Sequence, residues 1–246
     1  MAGRITFGLH LVGGDASLTF FVFIALVLLL VIAGRFSFYA YLNMRATDID
    51  GQGVLWEYLV YVGAVATLYA VVGLLEIVTS LRATFKQGVM LAVVLLLALS
   101  IREIYFNSSL STSDTGGASE FRGRRTLELG FVAAVAVVIF GLGALGENGV
   151  LFALQGISAL VFAGYGFWFG RRQTAESMVQ GTMIDSLLRH LLPVMAFATL
   201  VPAVDLATAA GLPRIVVMHV QIVFVIMTAT ALMTATIKLR QNFATL

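Results

Sequence analysis

The sequence predicts an all-α, polytopic membrane protein with seven transmembrane helices, the N-terminus outside and the C-terminus inside. Hydrophobic residues make up 60% of its 246 residues and charged residues only 11%, whereas about a quarter of the residues in a soluble domain are charged. The mean hydropathy is +0.98. A membrane-spanning helix needs about 20 apolar residues, so seven of them with short connections fill this length. We therefore expect residues 1–246 to form a single seven-helix transmembrane domain.

Seven continuous apolar runs define the predicted spans. They cover about residues 17–42, 54–81, 87–106, 127–146, 149–170, 183–208 and 213–239. Transmembrane strands would instead alternate polar and apolar residues over about ten positions, and backbone hydrogen bonding inside lipid then requires helices. No small-residue cleavage site follows a short apolar core near the N-terminus. The first run is therefore predicted to be a retained span, not a signal peptide.

Glycine and proline mark the later spans. Gly166 and Gly170 form a GxxxG pair in the fifth span, and small residues let helices approach closely. The pair indicates packing within the chain, with an oligomer interface as the alternative. Pro193 and Pro202 fall inside the sixth span. Each removes a backbone donor, so we expect a bend there.

Positive charge predicts the orientation, because cytoplasmic segments carry an excess of Lys and Arg. Four basic residues would face outside: Arg4, Arg82, Lys86 and Arg214. Eleven would face inside: Arg35, Arg45, Arg102, Arg122, Arg124, Arg125, Arg171, Arg172, Arg189, Lys238 and Arg240. The longest connection, 107–126, would then be a mobile loop on the inner side, because it is rich in Ser, Thr and Gly.

The amino-acid composition argues against several classes of function. Cysteine is absent, which excludes disulfides, thiolate metal sites and cysteine catalysis. The net charge of +2 suggests no nucleic-acid partner. The sequence contains no histidine pair at metal spacing, no nucleophile elbow and no phosphate loop. We therefore expect neither an enzyme nor a metal site.

The first three spans resemble the seven-helix sensor region of prokaryotic histidine kinases. The resemblance rests on the end of the first span, Tyr41-Leu42-Asn43-Met44-Arg45, and on a second span that opens with Trp56 and closes with Gly73-Leu74-Leu75-Glu76. The chain departs from that family because Leu246 is reached without a kinase domain. What the resemblance implies is a sensor-type membrane module.

The topology is also similar to that of microbial rhodopsins. Those proteins hold retinal on a lysine midway along the last span, but here Lys238 lies at the end of that span. The third span, Val89–Tyr105, has no carboxylate near its centre. These departures argue against covalent retinal and leave the cofactor unknown, with a non-covalently bound pigment or lipid still open.

Polar residues near the outer ends of three spans form the first candidate site. Ionisable groups within a membrane usually face the bundle interior. Tyr69 and Glu76 lie on one face of the second span. If the second, sixth and seventh spans adjoin, Tyr69, Glu76, Asp205 and His219 converge and bind a small ligand. The alternative is that each side chain simply reaches water at the outer interface.

A second set of charged residues lies near the inner ends of the spans. It comprises Glu57, Arg102, Asp185 and Arg189. Asp185 and Arg189 are four residues apart and can pair on one helix, while Arg102 could reach Glu57 on a neighbouring helix. We interpret these residues as interface anchors and ion pairs, or as an inner latch that breaks on signalling.

The leading hypothesis is a receptor-type membrane module in the plasma membrane of a prokaryote. It would bind a small ligand in the outer half of the bundle and signal to a protein partner through the inner loops. One alternative is a small transporter or proton carrier, which needs a continuous polar path from Glu76 to Arg102 or Lys238. Another is a structural subunit of a membrane complex. The expected partners are membrane lipids, a protein at the inner face and a second copy of the chain.

Overall fold

The computed structural model describes residues 6–46, 53–109, 118–175 and 183–244, without the side chains of residues 107–109, 118–125, 174–175 and 183–185. Within these ranges the helices are α1 Ala16–Ala46, α2 Gly53–Val78, α3 Lys86–Ser109, α4 Ala118–Leu145, α5 Gly149–Ala175, α6 Met183–Ala203, α7 Asp205–Ala209 and α8 Arg214–Phe243. Seven segments are long and apolar enough to cross a membrane, with α6 and α7 together forming the sixth. For the described residues, the prediction of an all-helical protein with seven segments of membrane-spanning length and hydropathy is confirmed.

The helix ends differ from the predicted spans. α3 continues to Ser109 and α4 already begins at Ala118, so most of the predicted loop at 107–126 is helical. The residues between these two helices lie outside the described part of the chain. Hydropathy measures how side chains partition into lipid, but a helix can continue into the polar interface, where Arg and Glu are good helix formers. The prediction of a long inner loop was therefore wrong.

The helices surround a central α3. The first helix, α1, packs against α2 and α8, and α8 also packs against α6. α3 contacts α2, α4, α5 and α6. In the most apolar stretch of each helix, 72% of the residues of α3 are buried, compared with 17% for α4. α3 is thus the core of the bundle, and most of α4 is free to face lipid.

Two glycines allow helices to touch at the backbone. A Cβ atom at Gly63 of α2 would lie 2.7 Å from the backbone nitrogen of Ser37 in α1. One at Gly166 of α5 would lie 3.0 Å from Cα of Ala98 in α3. Neither space admits a larger side chain without movement of the backbone. The predicted GxxxG pair therefore serves packing within the chain, at least through Gly166.

The sixth span is broken near its end. α6 ends at Ala203, Val204 forms a turn, and α7 begins at Asp205. Pro193 and Pro202 both lie inside α6, and the break follows Pro202 by two residues. Neither proline has an N–H to donate within the helix. The side chain of Gln221 in α8 donates to the carbonyl of Val201, with an N–O distance of 3.0 Å. A side chain of α8 thus satisfies a backbone carbonyl of α6 beside the break in the sixth span.

We call the two ends of the bundle the amino end and the carboxyl end. The amino end holds residues 6–15 and the connections 79–85, 146–148 and 210–213, and the carboxyl end is the opposite one. At the amino end, the backbone nitrogen of His10 donates to the carbonyl of Ile77 at 2.8 Å, and Gly8 donates to Val78 at 3.1 Å. At the carboxyl end, the buried Asn43 amide donates to the carbonyl of Leu239 at 3.0 Å. The N-terminal segment is therefore tied across the end of α2, while α1 and α8 are tied together at the far end.

Candidate functional site

A cavity of about 920 Å³ opens at the amino end, between α1, α2 and α8. Residues 10–13 of the N-terminal segment and residues 79–84 line its mouth. Deeper in, its wall includes apolar residues of α1 and α8: Val22, Ala25, Leu26, Ile222 and Val225. Its size falls within the range of small-molecule sites. The cavity lies where the sequence predicted a ligand site, in the half of the bundle that carries Glu76.

Tyr69 lines the deep part of this cavity. Its side chain is 5% exposed, and its hydroxyl makes no hydrogen bond to the residues that the structure describes. On α2, Tyr69 lies seven residues before Glu76, a rise of about 10 Å along the helix. A buried hydroxyl normally finds a partner. Tyr69 therefore offers a polar contact to whatever fills the cavity.

Glu76 lines the same cavity nearer its mouth, and its carboxylate has protein partners. It forms an ion pair with Lys86 at the start of α3 and accepts a hydrogen bond from the backbone nitrogen of Ala83 at 2.8 Å. These contacts hold the connection 79–85 against the end of α2. Its side chain is still 23% exposed, so Glu76 can fix the cavity wall and remain accessible to a bound molecule.

Asp205 is fully buried beside the cavity and is saturated with hydrogen bonds. Its carboxylate accepts from Gln155 of α5 at 2.8 Å and from Gln221 of α8 at 2.9 Å, and it pairs with Arg214. A buried carboxylate is tolerated when such donors fill its lone pairs. Asp205 does not line the cavity. Its position at the start of α7 instead joins α5, the broken sixth span and α8.

His219 lies apart from the other three predicted ligand residues. Its ring is exposed, with Nδ1 2.8 Å from the carbonyl oxygen of Ile215 on its own helix. Met218, Ile222 and Val225 line the cavity from α8. His219 directly follows Met218, so its side chain is rotated by about 100° around the helix axis from that of Met218. The face shared by His219, Thr230 and Thr234 is exposed and turns away from the cavity. The structure therefore brings Tyr69 and Glu76 of α2 to one cavity, places Asp205 behind its wall and leaves His219 outside it.

Two residues that connect the cavity to Asp205 were missed by the sequence prediction of the site. Arg214 and Gln221 both line the cavity and both contact Asp205. In the sequence, Arg214 is one of the four basic residues predicted to face outside and has no further signal of a site. Gln221 and Gln155 are polar residues inside apolar spans, a signal that could have identified them, because buried amides in membranes face other polar groups.

Several polar groups around the cavity lack a partner. His10 Nε2 and Gln87 Oε1 are buried atoms without a hydrogen bond in the described structure, and both residues line the cavity. Arg82, also in the lining, is exposed and pairs with no carboxylate among the described residues. Each unsatisfied buried group requires an explanation, such as water or a ligand.

Arg102 occupies the predicted inner latch but has different partners. Its guanidinium forms ion pairs with Glu128 of α4 and with Glu103, the latter at 3.0 Å. Glu57 is exposed and has no ion pair among the described residues. The expected pair of Arg102 with Glu57 was therefore wrong, because α3 turns Arg102 towards α4. Arg189 is exposed, and the side chain of Asp185 lies outside the described residues.

No group of three His, Asp or Glu side chains in the described ranges could hold a metal ion. The chain matches no protein-family model, no curated protein and no solved structure.

Proposed function

We propose that this protein is a receptor-type membrane module that binds a small amphipathic molecule in the cavity between α1, α2 and α8. The observation that carries the proposal is a cavity of about 920 Å³ in which the hydroxyl of Tyr69, His10 Nε2 and Gln87 Oε1 have no hydrogen-bond partner among the described residues. Binding sites combine an apolar wall with a few polar groups that fix orientation. This cavity has both.

The distribution of lining groups favours a ligand with an anionic head. Arg82, Lys86 and Arg214 carry positive charge in the lining, and Glu76 and Glu147 carry negative charge. Arg82 is the cation without a carboxylate partner among the described residues. An anionic group near the mouth would be attracted to it, while an apolar body would lie against Leu26 and Val225. Tyr69 would then bind a polar group further along the molecule.

Arg214 provides a route from the cavity to the rest of the bundle. It lines the cavity and also holds Asp205, the first residue after the break in the sixth span. A ligand that draws the guanidinium towards the cavity weakens its hold on α7. Broken helices are natural points for such movement. In our proposal this movement of α7 is transmitted to a protein partner at the carboxyl end. The connections of this chain at that end, 47–52, 110–117 and 176–182, lie outside the described residues.

We also propose that the amino end faces the outside of the cell and that the protein lies in the plasma membrane of a prokaryote. The excess of Arg at the carboxyl end supports this orientation. The transporter alternative has less support. The cavity lining ends at Tyr69 on α2 and at Val225 on α8, and the residues beyond them, including Ala66, Ala229 and Leu232, belong to the packed apolar core.

Occupancy of the cavity is the direct test. The protein is purified from its native membrane in mild detergent, an absorption spectrum is recorded, and extracted small molecules are identified by mass spectrometry. In a Val22→Trp variant the cavity is partly filled, because Val22 lines it from α1. Ile24→Trp is the matched control, since Ile24 lies on the same helix, is 45% exposed and does not line the cavity.

We expect one small molecule at about one per protein in the wild type and in Ile24→Trp, and its loss in Val22→Trp. A visible band that is lost with it would identify the molecule as a pigment. An empty wild-type protein that co-purifies with other subunits would instead favour the structural-subunit alternative. Equal retention in both variants would also contradict the proposal, because the molecule would then be bound elsewhere.

A further inference from the structure

A second cavity, of about 480 Å³, lies at the carboxyl end between α1 and α8. We call it the arginine groove. Two arginines line it, Arg35 from α1 and Arg240 from α8, together with Tyr39. Among the residues that the structure describes, no Asp or Glu belongs to its lining. The groove is therefore a separate site from the amino-end cavity, and its electrostatic character is positive.

Neither arginine has a carboxylate partner among the residues that the structure describes. Both side chains are exposed. This contrasts with Arg102, which two glutamates neutralise at the same end of the bundle. Two guanidinium groups on neighbouring helices, both bordering one cavity, can bind a single phosphate group through paired N–H donors.

The rest of the groove is apolar and open to the side. Met233 and Ile237 line it, and each is 46% exposed. On a membrane-spanning helix such exposure is towards acyl chains, because the apolar faces of α1 and α8 are in lipid. Tyr39 adds an aromatic ring with a polar tip, a combination that is enriched at the membrane interface.

The depth of the arginines fits the headgroup layer. Arg35 lies 19 residues after the start of α1 at Ala16, or about 28 Å along the helix axis. The hydrocarbon core is about 30 Å thick. A helix that begins at the amino-end boundary therefore brings Arg35 close to the opposite boundary, while Arg240, within the last turn of α8, lies in the polar layer.

We propose that the arginine groove binds a phospholipid with a net negative headgroup. Arg35 and Arg240 would hold the phosphate, and an acyl chain would lie along Met233 and Ile237. A soluble phosphate ester shares the phosphate chemistry, but it would leave the apolar part of the groove uncovered. Basic pockets between membrane helices have the chemistry that such headgroups require. This proposal is independent of the ligand at the amino end.

Lipid selectivity tests the proposal. The full chain in mild detergent is mixed with phosphatidylglycerol or with phosphatidylcholine, and bound lipid is counted by native mass spectrometry. The test variant is Arg35→Gln combined with Arg240→Gln. Arg172→Gln is the control, because Arg172 lies in the last turn of α5, over the ring of Trp168, and outside the groove.

We expect the wild type and the control to prefer phosphatidylglycerol. Each interfacial charge contributes enough for a change of about fivefold in affinity, so the double variant should lose roughly 25-fold in affinity for that lipid. Unchanged preference in the double variant would overturn the proposal. An equal loss in the control would also overturn it, because the effect would then be general electrostatics.

Two further measurements distinguish a phospholipid from a soluble phosphate ester as the molecule bound in the groove. Ile237→Trp keeps both arginines but fills the apolar part of the groove, and we expect it to lower phosphatidylglycerol binding while leaving binding of inorganic phosphate unchanged. Displacement of the lipid by millimolar inorganic phosphate alone would identify a soluble phosphate site and contradict the lipid assignment. Thermal unfolding of each variant in detergent ensures that only folded protein is compared.

Discussion

Asp205 and its donors Gln155, Gln221 and Arg214 form the Asp205 cluster. The cluster lies beside the amino-end cavity and shares Gln221 and Arg214 with it. The two regions differ in whether their polar groups have hydrogen-bond partners. Asp205 has no exposed surface, and donors from Gln155, Gln221 and Arg214 surround its carboxylate. Across the cavity wall, the Tyr69 hydroxyl and His10 Nε2 make no hydrogen bond within the part of the chain that the structure describes. A satisfied buried charge stabilises one packing arrangement, whereas unsatisfied groups around a void are available to a ligand. Proximity alone therefore does not make both regions part of one binding site.

The largest effect is expected from breaking the Asp205 cluster. Asp205→Ala leaves Arg214, Gln155 and Gln221 without their shared acceptor, and removal of one member of a buried ion pair costs about 3–5 kcal/mol. We expect the free energy of unfolding to fall by that amount, measured by denaturant titration in detergent micelles.

Glu147→Ala is the matched control for this comparison. Glu147 approaches the same arginine, with 3.9 Å between Oε2 and Arg214 Nε, but its side chain is 55% exposed. An exposed pair contributes about 1 kcal/mol or less. If both variants were equally destabilised, Asp205 would not have the structural role that its burial assigns to it.

A smaller effect, on binding instead of stability, is expected at Tyr69. Tyr69→Phe keeps the ring and removes the hydroxyl, which has no hydrogen bond to lose in the described ranges. One hydrogen bond contributes about 0.5–1.5 kcal/mol, so the affinity for the co-purified molecule should fall roughly 2- to 13-fold, measured by competition and mass spectrometry. The melting temperature of ligand-free protein should hardly change.

Tyr61→Phe provides the reference for that measurement. Tyr61 belongs to the same helix, is 54% exposed and does not line the cavity. We expect its affinity for the molecule to equal that of the wild type. A matching loss in both variants would show that the tyrosine hydroxyls act through the membrane or the detergent, and not through the cavity.

The smallest effect is expected at His219. The ring is exposed and turned away from the cavity, so His219→Ala should change the free energy of unfolding by about 0.5 kcal/mol or less and should leave ligand retention unchanged. A clear loss of retention in equilibrium binding would restore His219 to the site and would require α8 to rotate from its present position.

The fold could be predicted from the sequence to a large extent, because lipid leaves few choices. Seven apolar runs of sufficient length have to be helices, and the structure contains seven such segments. The ends were predicted less well. α4 begins at Ala118 among polar residues. Hydropathy does not indicate a helix there, because it measures the partitioning of side chains into lipid and not backbone hydrogen bonding.

The candidate site could be predicted only in part. Glu76 and Asp205 are conspicuous in the sequence because carboxylates are costly inside apolar spans, and Tyr69 shares a helix face with Glu76. Which of them meets a cavity depends on helix rotation and on neighbours. Arg102 shows the same limit at the other end, where α3 directs it to Glu128 of α4 and not to Glu57.

The sequence by itself determined the helical character, the seven segments that are long and apolar enough to cross a membrane, and the position of each charged residue along its helix. These follow from side-chain transfer energies and residue order along one chain. The tertiary structure alone decided that Asp205 is enclosed while Tyr69 borders a void, that His219 faces outwards, and that Arg35 and Arg240 border one groove. These outcomes depend on which helix faces touch, and close packing between helices is set by residues far apart in the chain, such as Gly166 against Ala98.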